Sequence, residues 1–200
     1  MAAISTELIK AIRERTGAGM MACKQALEET NGDMEKAIEV LRKKGAALAA
    51  KRAYRATNQG VIEAYIHAGG RIGTLVELNC ETDFVAKTPE FRTLAHDLAM
   101  QVAAMSPIVV SREQLEPALV EHEKEIYRTQ AQNEGKPAQV IEKIAEGRME
   151  KFCQENCLLE QSFIKDSSKT IKDLLNEAAG KMGENISIRR FHRYHLGEVE

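Results

Sequence analysis

Apolar residues recur at helical spacing through the first fifty positions. Leu8, Ile9 and Ile12 form one stripe. Ser5 stands before them as an N-cap, with Ile4 and Ile9 spaced as a hydrophobic staple around it. Thr16-Gly17-Ala18-Gly19 closes this helix, and a second starts near Met20. Met20, Cys23 and Leu27 fall at i, i+3 and i+7, which predicts one buried face, while Met21 and Gln25 point away from it. Asn31-Gly32 signals a turn. Asp33 caps a third helix whose stripe is Met34, Ala37, Ile38 and Leu41. The alanine-rich run after Gly45 continues that helix before it frays, and Thr57-Asn58-Gln59-Gly60 marks a boundary.

The period then changes. Val61 to His67 and Ile72 to Cys80 read as strands joined by Ala68-Gly69-Gly70-Arg71, an antiparallel hairpin. A helix follows from about Pro89 to Met105, with Phe91, Leu94, Ala95, Leu98 and Val102 on one stripe. Helical stretches over Arg112 to about Glu134 and onward to about Asn156 flank Gly135-Lys136-Pro137 and read as a helical hairpin. Its first arm has few large apolar residues (Leu115, Leu119, Ile126 and Tyr127), which suggests a projecting arm with a narrow seam. A short helix from about Lys169 to Lys181 precedes a last strand, Asn185 to Tyr194. That strand completes a three-stranded sheet, since an isolated hairpin is marginal in water. The fold class is therefore α+β. A three-helix N-terminal domain over 1–55 precedes an α+β core over 56–200, which includes the helical hairpin at about 112–156.

Charge supports a two-part organisation. The 200 residues carry a net charge of -2, yet residues 1–59 hold 11 Lys/Arg against 7 Asp/Glu, and the remainder holds 17 against 23. Near-neutrality and 4% aromatic content argue against a dedicated nucleic-acid binder. Four Cys are too few for a disulfide scaffold, no stretch reads as a signal peptide, and no apolar run is long enough to span a bilayer. A cytoplasmic protein is the expectation.

Catalytic chemistry is poorly represented. Gly17-Ala18-Gly19 lacks both a third glycine and a preceding strand, so it is not a phosphate loop. Cys153 and Cys157 have no second ligand pair at zinc spacing, and none of the five His lies in a metal motif. The expectation is no metal and no cofactor. The basic segment Arg42 to Arg55 reads as a solvated helix face and linker, with RNA contact as the alternative. A thiol enzyme built on Cys80 or Cys153 is a second alternative. Two features stand out. Met21 faces outward beside a Gly-rich turn, where it either contacts a partner or packs on the linker. Phe84 lies in Thr82-Asp83-Phe84-Val85 just after a strand, as a core plug or as a wedge into a partner, the core being the commoner outcome for Phe.

Both features belong to one pattern. Arg13-Glu14-Arg15-Thr16-Gly17-Ala18-Gly19-Met20-Met21-Ala22-Cys23-Lys24-Gln25-Ala26-Leu27 closely resembles the N-terminal signature of the elongation factor Ts family. Glu77 to Lys87, with Thr82-Asp83-Phe84-Val85 at its centre, resembles the second signature. Gly135-Lys136-Pro137 and Glu146-Gly147-Arg148-Met149 resemble a third stretch. Ala22 departs from the pattern, standing where many members have an acid. The resemblance implies a translation factor without covalent chemistry: the guanine nucleotide exchange factor of elongation factor Tu, promoting GDP release. It implies a ubiquitin-associated-like bundle for the first three helices. It assigns Thr82, Asp83, Phe84 and Val85 to dislodging magnesium in the partner, and Lys10, Arg13, Met20 and Met21 to holding it. The chain has sequence for one core module where longer members carry two, and this implies a homodimer. Neither a membrane nor a nucleic-acid partner is implied.

Overall fold

A computed structural model of the protein describes residues 4–198. Among the described residues, eight α-helices and a three-stranded antiparallel sheet make an α+β fold.

The N-terminal helices are α1 (Thr6–Thr16), α2 (Met20–Glu29) and α3 (Met34–Arg52). Their ends are set by local chemistry. The Ser5 hydroxyl accepts from the Leu8 N–H at 3.2 Å and the Asp33 carboxylate from the Lys36 N–H at 3.1 Å, each satisfying a donor that the first turn leaves open. Gly17, at φ 67, takes the left-handed conformation that ends α1, and its N–H donates to the Arg13 carbonyl. Ile9, Ile12, Cys23, Ala26, Leu27, Ala37 and Leu41 form one buried cluster, with Ile4 and Ala22 packed against it. Met20 corrects the expected face. It is 54% exposed although Cys23 and Leu27 are buried. Helical side chains lean toward the N-terminus, so the first residue of α2 extends past the end of the helix instead of onto the cluster.

Strand β1 (Gln59–Ile66), β2 (Ile72–Cys80) and β5 (Ile186–His195) make the sheet in the order β1-β2-β5. Gly60 is required where β1 meets β2. At φ 152, any Cβ would fall onto the Leu78 carbonyl oxygen and within 2.8 Å of Asn79 Cα. After β2 comes a four-residue helix, α4 (Asp83–Ala86), and then α5 (Pro89–Met105), whose predicted stripe is buried at all five positions.

Helix α6 (Pro117–Asn133) and α7 (Ala138–Asn156) follow. The expected helix start at Arg112 is corrected to Pro117. Residues 112–114 make only a 3₁₀ turn, and a proline disfavours helical backbone in the residue before it while suiting the first helical position. Leu115, Met149, Cys153 and Cys157 are buried together beside Leu119, Tyr127 and Phe152. A small sheet of β3 (Ser162–Phe163) and β4 (Asp166–Thr170) lies before α8 (Ile171–Met182). The helix expected from Lys169 therefore begins two residues later, after a strand that was not anticipated.

By compactness the chain divides into two units. One takes the chain up to Ile62, Leu78–Ala95 and Asp173–Ser187; the other takes Glu63–Glu77, His96–Lys172 and Ile188 onward. Neither is a continuous stretch of chain. No helix among the described residues is long and apolar enough to cross a membrane.

Candidate functional site

The segment Thr82-Asp83-Phe84-Val85 sits at the start of α4. The Thr82 hydroxyl accepts from the Val85 N–H at 3.4 Å and caps a helix of one turn. Asp83 accepts from the Lys87 ammonium at 2.6 Å, and this bond holds the exposed carboxyl below the usual carboxylate range. Val85 is half-buried, and its carbonyl accepts from the Thr88 hydroxyl at 2.8 Å. Thr88 in turn accepts from the Phe91 N–H at 3.3 Å, so α4 is tied directly to the first turn of α5.

Phe84 is 79% exposed, which overturns the core-plug reading. A single helical turn cannot bury every side chain, and here Ala86 takes the inward position with Phe84 facing solvent. Exposing a phenylalanine forgoes burial worth about 1.5–3 kcal/mol. Folding therefore does not explain its place in the chain.

The site's backbone is held from elsewhere in the same unit. Glu184 Oε2 accepts from the N–H groups of Glu81 and Thr82, each at 3.0 Å, and Oε1 accepts from the Thr82 hydroxyl at 2.6 Å. Glu81 Oε1 accepts from the Asn185 N–H at 2.7 Å and from Arg55 at 3.4 Å. Asn185 Nδ2 donates to the carbonyls of Ala53 at 3.3 Å and Arg55 at 2.8 Å. Glu81, Glu184 and Asn185 thus link α4 to the chain leaving α3. Sequence reasoning did not pick Glu184 or Asn185. In the sequence Asn185 reads only as the first residue of the last strand, and no local pattern marks Glu184.

The other predicted contact residues lie on α1 and α2. Lys10 and Arg13 are exposed on successive turns of α1. Met21 is 72% exposed, so it does not pack on the linker, and Met20 joins it at the surface. These four and Phe84 occupy different elements, with the methionines and the phenylalanine presenting apolar surface that no core uses.

The remaining chemistry is structural. Between Arg42 and Arg55 the cations are largely engaged within the protein. Arg42 pairs with Asp173 at 2.6 Å, Lys43 with Glu39 at 2.7 Å and Lys44 with Glu29 at 2.6 Å; Arg52 donates to the Ala179 carbonyl at 3.2 Å. That pattern favours the helix-face reading over RNA contact. All four cysteines are buried free thiols. Burial raises the Cys80 and Cys153 thiols and pushes Cys157 up to about 12, the opposite of an activated nucleophile. No cluster of three or more potential metal ligands occurs among the described residues.

The chain matches the family model for elongation factor TS over residues 2–198. Elongation factor Ts of Carboxydothermus hydrogenoformans is 64% identical over 195 residues, covering 98% of this chain and 90% of that protein. That of Moorella thermoacetica is 64% identical over 190 residues, covering 95% and 94%. That of Caldanaerobacter subterraneus subsp. tengcongensis is 62% identical over 195 residues, covering 98% of each.

Proposed function

Because the chain belongs to the elongation factor Ts family, and so to the translation elongation factors, we propose that it is the guanine nucleotide exchange factor of elongation factor Tu in the cytoplasm. It binds the GDP-bound GTPase, favours a conformation in which magnesium and GDP are poorly held, and leaves GTP to bind in their place. No bond of the nucleotide is made or broken. By linkage, a factor that weakens nucleotide binding is itself bound more weakly when nucleotide returns, by the same factor.

The observation that carries this reading is Phe84, exposed on a braced single turn. Its ring enters between packed elements of the GTPase and displaces side chains there, a role suited to a large flat apolar group. Asp83 acts beside it on the polar network around the partner's magnesium, while Thr82 and Val85 shape the turn. Residues 1–55, as a ubiquitin-associated-like bundle, provide the counter-grip through Lys10, Arg13, Met20 and Met21. A wedge shifts a population only by the difference in its affinity for the two states, so the grip must hold in both.

A homodimer completes the proposal. Ile66, Leu75, Tyr194 and Leu196 are exposed apolar side chains beside Gly70 and Gly73 at one end of the sheet. A contiguous apolar patch of this kind suits pairing with a second copy.

The test is the release of labelled GDP from elongation factor Tu. The protein accelerates it, and Phe84→Ala removes most of the acceleration without unfolding the chain. If Phe84→Ala unfolds the core while Asp83→Ala leaves exchange intact, the wedge assignment is wrong.

A further inference from the structure

We infer that Glu184 is the positioning residue for Phe84: it seats the turn that carries the ring, and with Asn185 it ties that turn to the end of the three-helix bundle. The inference rests on the exchange reading above for its consequence and on geometry for its content.

The turn before α4 has three donors close together: the N–H groups of Glu81 and Thr82 and the Thr82 hydroxyl. A four-residue helix has too few internal hydrogen bonds to hold itself, since its first N–H groups have no partner within the helix. Glu184 accepts from all three with its two oxygens, at 3.0, 3.0 and 2.6 Å. A charged acceptor makes these bonds stronger than neutral ones. The next residue completes the brace. The Asn185 N–H donates to Glu81 at 2.7 Å, and its side chain bridges the carbonyls of Ala53 and Arg55. Thr57, further along the same linker, hydrogen-bonds Ser187 at 2.8 Å and accepts from Asn79 at 3.1 Å. The linker after α3 and the turn before α4 are therefore fastened to the same short stretch, 184–187.

A wedge acts only if its support does not yield. An exposed ring on an unbraced turn would bind the GTPase by adapting to it, leaving the GTPase conformation unchanged. Glu184 prevents that adaptation. Glutamine can reproduce the pattern, since its carbonyl accepts from the two N–H groups and its amide donates to the Thr82 hydroxyl. Alanine cannot.

The sequence contains no Trp, so Phe84→Trp places a single indole at the ring position. In the full-length protein, Glu184→Ala lowers the fluorescence anisotropy of that indole, and Glu184→Gln restores it. In the Phe84 background, Glu184→Ala slows GDP release at saturating factor by roughly tenfold to a hundredfold, the cost of a misplaced group. The half-saturating concentration changes less than about threefold, the mark of an interaction used in the exchange step rather than in binding. Combined with Phe84→Ala, it adds nothing further. If Glu184→Ala does not fold, Glu184→Asp, which keeps the charge but withdraws it by one methylene, shows the same loss of anisotropy.

Unchanged anisotropy in Glu184→Ala overturns the inference. So does an equal slowing whether or not Phe84 is present. If instead anisotropy falls as expected while the unsubstituted protein fails to accelerate GDP release at all, the brace is real and the exchange reading is what fails.

Discussion

Two phenylalanines seven positions apart have opposite fates. Phe91, in the first turns of α5, is fully buried; Phe84, on α4, is 79% exposed. Phe91 belongs to a 17-residue helix with a continuous apolar stripe, and its ring is part of what makes that helix stay. Phe84 belongs to a single turn held by polar contacts from outside it. The chain thus uses one aromatic to fold and leaves the other at the surface. A residue type that usually reports the core stays exposed when its local helix is too short to bury it.

The largest effect expected from this contrast is on folding. Phe91→Ala loses about 3–5 kcal/mol in urea denaturation, through lost burial and the cavity left behind. A loss under about 1 kcal/mol would remove the contrast. Phe84→Ala gives the reverse profile. Stability stays within about 0.5 kcal/mol, as for surface substitutions generally, while GDP release at saturating factor slows by about tenfold or more, which stopped-flow mixing resolves. The same division recurs in α2, where Met21 is exposed and Cys23 is buried two residues later. Met21→Ala is expected to weaken affinity for elongation factor Tu by about 1–2 kcal/mol in calorimetry and to leave the melting temperature unchanged. A melting point that fell with no change in affinity would make Met21 structural.

The smallest effect concerns pH and belongs to the buried side. Burial pushes the Cys157 thiol above its ordinary value of 9.0 up to about 12, and Tyr127, packed against the same cluster, also up to about 12. A group whose folded-state pKa is raised contributes its full stability below its unfolded value and loses it as pH rises through the folded one. Stability should therefore decline between about pH 9 and 12. Cys157→Ala should flatten part of that decline in melts recorded across the range. Asp83, exposed and lowered by Lys87, should not alter stability in that alkaline window.

Most helices were legible from the sequence because their signals are local. Ser5, Gly17 and Asp33 mark helix ends by chemistry within a few residues, and α5 declares itself by periodicity over seventeen. The misses share the opposite property. Strand β3 has two residues and β4 is Asp-Ser-Ser-Lys-Thr, so neither offers an apolar alternation to read. Met20 satisfied the period but sat at a helix start, where period does not guarantee a facing residue. The exposure of Phe84 followed from no pattern, because one turn is shorter than the period that would assign its face. The roles proposed for Thr82, Asp83, Phe84 and Val85 rest on the resemblance, not on any pattern of the residues themselves. Glu184 carries no local signal, because its partners lie about a hundred positions away.

That separation has a consequence for a chain made from its N-terminus. Glu184 follows Thr82 by 102 residues, and Asn185 follows Ala53 by 132. The contacts among α1, α2 and α3 close over short loops, and such contacts form early. The Glu184 brace on the turn bearing Phe84 waits for the stretch that enters β5. During synthesis the bundle can be complete while the turn bearing Phe84 still lacks its Glu184 brace, so the residues proposed to grip are in place before the proposed wedge is seated. If the proposed exchange function is right, a nascent chain released before Glu184 would keep its grip on the GTPase and lose its effect on GDP release.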